Sequence, residues 1–455
     1  MNDLYINGSR VDLPVDNDIS LQFRSNFMGG LDNIKSGYSL TIKLPSTPIN
    51  DFVMRLSNLV YAGDNAAYRW YNAVYVVDGL QLIHGQAALL SASPEGYDVS
   101  LTWGVVPELR EWLKSDKTLR DLSLDDIGRI VVNDNPFDND VLDTQEGLNV
   151  GLYYYNNGIR NYPSVENVWY PVVKVGYIFR EIISSLGGVI DVSAVDLSEL
   201  DSLYINIVEN MKEATTSNDR TFRVVDFLPE IKQVEFVKAV CHIQGWYIEQ
   251  NVTGGIRLVD VDSIRDKAAA VDWSSKLSSV GDVPESIEFS YNNNAQRNYM
   301  RYKEDDTVPI NANGYIEVND VTADAEKTLF TLPWAATYGN LIVQYDKEGN
   351  FIKIEPRILK LEADRGTDSE GNLIPGLAFT DDMYFQYIIN TSYSYYKTIV
   401  NQPSVITAEF RLTVYDYLTI DYVKPVYISR YGSYFAIVGL QYSGEKTKAT
   451  LIKLP

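Results

Sequence analysis

Two histidines and one cysteine carry most of the nucleophilic and proton-transfer chemistry that this 455-residue sequence could offer. His84 lies in the strand-like run Leu80-Gln-Leu-Ile-His-Gly85, and His242 falls on the polar side of a predicted helix, beside Lys238. Neither is accompanied by a serine or cysteine on a nucleophile elbow. Cys241 precedes His242 directly, but neighbours on a helix point about 100° apart, so the two are poorly placed to form a dyad. The set is also too small for a zinc site.

Oxygen chemistry fares no better. The run Asn133-Asp-Asn-Pro-Phe-Asp-Asn-Asp140 offers the clustered oxygen ligands a hard cation wants. It lacks the alternating spacing, central glycine and closing glutamate of a calcium loop, and reads as a solvated acidic loop. No glycine-rich phosphate loop is present, and Thr253-Gly254-Gly255 reads as a turn. A carboxylate pair could run glycoside hydrolysis, yet 61 acidic residues make a pair at any given distance a matter of chance. The sequence therefore assigns no catalytic, cofactor-binding or metal-ligating residue and implies no cofactor.

The elements that would position such groups are mostly strands. In residues 1–115, Leu4–Ile6 and Val11–Leu13 flank the hairpin signal Asn7-Gly8, and Ile19–Arg24 and Tyr38–Leu44 alternate with period two. A helix through Phe52, Val53, Leu56 and Leu59 is expected, capped by Ser46, Thr47 or Asn50. Tyr68–Val77, Leu80–Leu90 and Tyr97–Trp103 form a predicted meander turning at Asp78-Gly79, and Pro107–Lys114 is a short helix.

Two later stretches share one pattern of helix, glycine stop and strand. In the first, Val175, Ile178, Phe179, Ile182, Ile183 and Leu186 share one face, Arg180, Glu181 and Ser184 the other; Gly187-Gly188 stops the helix before Val189–Val192. In the second, residues 224–264, a helix opens at Pro229 and stops at Gly245, and a hairpin of Trp246–Glu249 and Ile256–Val261 follows. Val234, Phe236, Val237, Val240, Cys241 and Ile243 form its apolar half; Glu235, Lys238 and His242 fall opposite, with Ile231 among them. The C-terminal part is expected to be strands at Ile287–Tyr291, Tyr299–Lys303, Ala408–Val414, Val426–Ser429, Tyr434–Tyr442 and Ala449–Leu454, with 362–376 a polar loop.

Composition excludes several classes. Thirty-nine basic against 61 acidic residues leave a net charge of −22, which disfavours phosphate backbones and anionic lipid. A single cysteine allows no internal disulfide. No signal-peptide pattern and no run near the roughly 18 apolar residues of a membrane helix are visible, so synthesis in a cytoplasm and a soluble product are expected. The 33 tyrosines include the runs Leu152-Tyr-Tyr-Tyr155 and Tyr384–Tyr396, which favour strands and half-buried partner surfaces.

Four stretches carry a family likeness. They are the N-terminal strands into Tyr38-Ser-Leu-Thr-Ile-Lys-Leu-Pro-Ser-Thr-Pro-Ile-Asn50 with Val76-Val-Asp-Gly-Leu-Gln-Leu-Ile-His-Gly85; the unit around Phe236-Val-Lys238 and Gly245; Val271-Asp-Trp-Ser274; and Lys424-Pro-Val-Tyr-Ile-Ser-Arg-Tyr-Gly-Ser-Tyr-Phe-Ala-Ile-Val-Gly-Leu-Gln-Tyr-Ser443. In this order the chain resembles the baseplate hub, or tail-lysin-type, proteins of tailed phages, prophages and contractile injection machines.

The resemblance implies a homotrimer whose small β-barrels join a tail tube to a central spike, with no catalytic residues. It implies partners among tail tube, spike and other baseplate proteins, DNA passing the lumen without specific binding, no membrane insertion, and a place in the virion. The implied fold class is α+β, β-rich and multidomain, with tube-like barrels and helix-plus-hairpin units between them. Its segments are a tube-like barrel at 1–115, an irregular insert at 116–220 with a helix at 174–186, a helix-plus-hairpin domain at 221–275 and a β-rich domain at 276–455, with barrels free to share strands between segments. Residues 116–220 and 304–400 have no counterpart in the pattern, and no peptidoglycan-hydrolase region is recognisable. Two other readings stay open: a phage-tip or surface carbohydrate-binding protein stacking sugars on Trp70, Trp103, Trp169 and Trp334, and a glycoside hydrolase.

Overall fold

A computed structural model describes residues 2–14, 19–26, 37–57, 59, 68–123, 130–131, 148–149, 172–206, 208, 221–222, 224–250, 256–278, 284–292, 294–304, 310–336, 344–345, 351–352, 355–362, 376–444 and 446–455. The stretches Asn133–Asp140, Leu152–Tyr155 and Thr253–Gly255, residue Trp169 and most of the polar stretch 362–376 lie outside them.

The hairpin signals act where left-handed backbone is required. β1 (Asn2–Ile6) and β2 (Ser9–Val11) pair antiparallel across Asn7 and Gly8, both at positive φ (50° and 80°). β6 (Trp70–Val77) and β7 (Leu80–Ser93) do the same across Asp78 and Gly79 (51° and 79°). Two successive positive-φ residues match the twist of the flanking strands, and asparagine, aspartate and glycine tolerate them best. β8 (Gly96–Trp103) completes the meander.

The stretch expected as one strand at Tyr38–Leu44 is instead two, β4 (Gly37–Ser39) and β5 (Ile42–Pro45), both pairing with β8, with Leu40 exposed at the break. Helix α1 (Pro48–Val53) starts at the Thr47 cap, whose hydroxyl accepts from the Asn50 amide. It is shorter than the apolar spacing suggested, and of its expected inward face only Val53 is buried. Phe52, Leu56 and Leu59 are exposed.

One fourteen-stranded sheet takes strands from both ends of the chain. Ser433–Ser443 lies between Lys446–Lys453 and β3 (Ser20–Arg24), with Gly439 opposite Arg24 and Tyr442 opposite Leu21. From there the order runs through β4, β8, β7, β6, β1 and β2 on one side and through Lys446–Lys453, Val405–Phe410 and Ser286–Glu288 on the other. Among the described residues this is an open path.

The C-terminal strands feed two cores, because alternate side chains point to opposite faces. Ile406, Ile437 and Leu451 join a core with Phe23, Trp103 and Tyr417. Val405, Ala436 and Ile452 join a second core built from the middle of the chain. The strand expected through Val414 ends at Phe410; Thr413 and Asp416 then form a capping box.

The middle body holds α2 (Pro107–Lys114), α3 (Val175–Ser185) and α4 (Gln233–Gln244), then α5 (Phe385–Thr391) and α6 (Ser394–Asn401), with α7 (Val414–Leu418) returning to the first core. The two helix–glycine–strand units meet in one small sheet: Ile190–Asp191, after α3, runs parallel to Ile256–Asp260, which pairs antiparallel with Trp246–Gln250, after α4.

Three expectations fail here. α4 begins at Gln233 and not at Pro229, because Lys232 is extended and bridged to Thr118. The Tyr384–Tyr396 run is largely helical, in α5 and α6, since its apolar residues recur at helical spacing and bury Phe385, Ile388, Ile389 and Tyr396. The third is the polar face of α4: Glu235 is exposed, but His242 is only 4% exposed and Ile231 5%.

Candidate functional site

The side chains singled out for chemistry are held apart or sealed. His242 stacks flat on Phe330, with ring centroids 3.6 Å apart and an angle of 7° between planes. Its carbonyl accepts a hydrogen bond from the buried Tyr393 hydroxyl at 2.8 Å. Cys241 is buried, and loss of water pushes its thiol up to about 12, far from a reactive thiolate. His84 stands exposed on β7, in the other half of the fold.

Two of the tryptophans read as sugar-stacking rings are sealed in the cores. Trp103 and Trp334 are 3% and 1% exposed, Trp103 against Phe23 and Trp334 edge-on to Phe236. Trp70 is half exposed, with the Arg110 guanidinium 4.4 Å from its ring centre.

A cavity of about 460 Å³ opens beside the C-terminal end of α4, lined by Asp196, Glu199, Trp246, Asp260, Lys360 and Asp382 among others. Its acids are largely engaged in structure. Asp196 accepts from the Ser198 amide at 2.9 Å, and Asp260 caps a short turn through the Asp262 amide at 2.7 Å. Burial raises the Asp260 carboxyl, which its amide partner opposes. Burial works in the same direction on Asp382, but hydrogen bonds from Lys360 and Thr380 outweigh it and hold that carboxyl below its ordinary value. Among the described residues, no group of three or more histidine, cysteine or acidic side chains is disposed to hold a metal ion.

The most constrained polar cluster is the joint between the two cores. Glu249, fully buried at the end of its strand, accepts from the Ser25 hydroxyl at 2.8 Å, the Gln250 amide at 2.8 Å and the Asn26 amide at 3.4 Å. The Asn26 side chain donates to the Ile248 carbonyl at 2.9 Å. Gly104 packs so closely on Gln250 that a Cβ there would lie 1.9 Å from Gln250 Oε1. An Arg257–Asp421 ion pair continues the seam.

With Ser25 1% exposed, this carboxylate and hydroxyl are closed to a substrate, and their work is to fix β3 and its sheet to the middle body. Sequence reasoning passed over Glu249. The available signal was an acid inside the otherwise apolar run Trp246-Tyr-Ile-Glu249.

The fold defined by these features is an acidic, β-rich α+β scaffold in which both chain ends share a sheet and the middle hangs from it by a buried polar seam. No family model matches the sequence, and no curated protein matches it either. Among solved structures it is similar to the 43 kDa tail protein of prophage MuSo2 from Shewanella oneidensis, with a TM-score of 0.41 and 8% identity over 100% of this chain and 98% of that one. It is also similar to the tail protein from Neisseria meningitidis MC58, with a TM-score of 0.38 and 10% identity over 99% and 95% of the two chains. A prophage tail protein, gp18, from Listeria monocytogenes EGD-e follows, with a TM-score of 0.35 and 8% identity over 99% and 94%.

Proposed function

We propose that this chain is an architectural protein of a phage-type tail, a baseplate hub that assembles as a homotrimer and joins the tail tube to the central spike. The observation that carries the reading is the shared sheet: β3 pairs with Ser433–Ser443, so the two ends of the chain build one platform while the middle forms a second body fixed to it. Such a layout suits a part that holds two others in register. In this reading residues 1–115 form a tube-like barrel domain, completed by strands from 276–455, and 116–275 supply the body between tube and spike.

The charge is consistent with the role. A net charge of −22 repels a DNA backbone, which favours passage through a lumen without adhesion. The hub acts in the virion, at the baseplate.

Particle mass by light scattering, together with negative-stain images, tests the reading. The expected result is a trimer with three-fold symmetry and a central channel. A particle that stays monomeric at every concentration, and fails to form rings when mixed with its tail-tube and spike proteins, would overturn it.

A further inference from the structure

On the sheet face away from Phe23 and Leu440, the cross-strand neighbours Gln22, Gln441, Lys448 and Glu409 form one polar row, and Arg24, Gly439, Thr450 and Thr407 form the next. Gly439 sits at a bulge in the pairing of its strand and contributes no side chain. The gap it leaves is part of a notch of about 330 Å³, walled by Tyr291 and Asn292 where the sheet meets the middle body.

The notch is cationic in an acidic chain. The Arg24 guanidinium lies over the Tyr38 ring, 5.0 Å from its centre, and donates to the Tyr38 hydroxyl at 2.7 Å. Among the described residues no carboxylate is paired with it, and one hydrogen bond leaves most of its five donors unspent. Lys448 is half exposed and pairs with Glu285 at 2.9 Å. Three cations, Arg24, Lys446 and Lys448, thus face two anions, Glu285 and Glu409, so that Arg24 is the unmatched charge here, although the chain as a whole carries 61 acids against 39 bases.

We propose that this notch binds a carboxylate side chain carried on an extended acidic segment of a partner protein. A guanidinium fork matches a carboxylate in two parallel hydrogen bonds, and the threonine hydroxyls and glutamine amides beside it can complete the anion's shell. The overall negative charge works against a long free polyanion such as nucleic acid. A short segment held also by polar side-chain contacts along the open sheet face does not meet that objection. This inference rests on the notch alone and stands apart from the hub reading.

Fluorescence anisotropy on the full chain tests it, with a short labelled peptide alternating glycine and glutamate and its glutamine counterpart as probes. The glutamate peptide should bind and the glutamine peptide should not. Arg24→Gln should weaken binding about tenfold or more, and Lys448→Gln by less, with both variants keeping the wild-type melting profile. No binding of the glutamate peptide, or equal binding by Arg24→Gln, would overturn the proposal. So would displacement by inorganic phosphate at equal concentration, which would make the notch a bare anion site. A rise in the particle mass of the wild-type chain alone, lost in Arg24→Gln, would place a second copy there and likewise overturn it.

Discussion

Helices α3 and α4 follow one sequence pattern and end in different surroundings. Each stops at a positive-φ glycine, Gly187 at 65° and Gly245 at 74°, and each leads into a strand of the same three-stranded sheet. α3 keeps Arg180 and Ser184 in water, as its wheel predicts. α4 has the His242 part of its nominal polar side covered: Phe330 lies flat on the His242 ring, and Tyr393 reaches the His242 carbonyl. The covering groups come from more distant chain, the strand Glu326–Ala335 and the α5–α6 region. A helical wheel reports which face is apolar. It does not report whether a later segment will close over the other face, and an imidazole can lie in either place.

The largest test of this contrast places a charge on each helix. Val237→Asp puts a carboxylate into a fully buried site in α4 and should cost about 4 kcal/mol or more, leaving insoluble protein. Ser184→Asp on the exposed side of α3 should change stability by no more than about 0.5 kcal/mol in denaturant titration. Equal losses would mean that the two helices are buried alike.

His242→Ala is the sharper experiment. On the sequence alone it should leave the fold unchanged. With His242 buried against Phe330 it removes a stacked ring and opens a cavity, for an expected loss of about 2 kcal/mol. A midpoint of denaturation identical to wild type would restore the sequence-based view of α4.

What the sequence made legible were features with local causes. Asn7-Gly8 and Asp78-Gly79 announced their hairpins because few residue types tolerate that backbone, and the apolar face of α3 announced itself by spacing. The pairing of β3 with Ser433–Ser443 was not legible, since alternation tells which face of a strand is buried but not which strand lies beside it. The tyrosine run at 384–396 misled because aromatic propensity for strands yields to helical packing when a core accepts the helix. At the candidate site, the Glu249 seam depends on residues from opposite parts of the chain. Only its acid, set in an apolar strand, left a trace in the sequence.

The glycine stops separate the two units by a smaller margin. Alanine at either position must adopt a left-handed backbone at a cost of about 1 kcal/mol. At Gly187 nothing lies within 4 Å of the added Cβ, so that cost stands alone. At Gly245 the Cβ would lie 2.6 Å from the Ser392 side chain, so α6 and its approach must also shift. Gly245→Ala should therefore lower the melting temperature more than Gly187→Ala does. The reverse order would mean that the contact with Ser392 is not kept in solution.

The smallest effect belongs to an ion pair on the water side of α3. Arg180 holds Asp201 with two hydrogen bonds of 2.7 Å, and both side chains are a little over 40% exposed. Solvent screening limits such a pair to about 1 kcal/mol at most. The Arg180 hydrogen bond holds the Asp201 carboxyl below its ordinary value despite opposing desolvation. A carboxyl depressed in the folded state binds its proton more readily when unfolded. Its stabilising contribution is therefore complete above the ordinary carboxylate range and is lost as pH falls through the lowered folded value. Asp201→Asn should thus be slightly less stable than wild type at neutral pH, and the gap should close in acid. A gap that persists unchanged below the carboxylate range would assign the loss to packing at Gly176, whose added Cβ would lie 2.5 Å from an Asp201 oxygen, and not to charge.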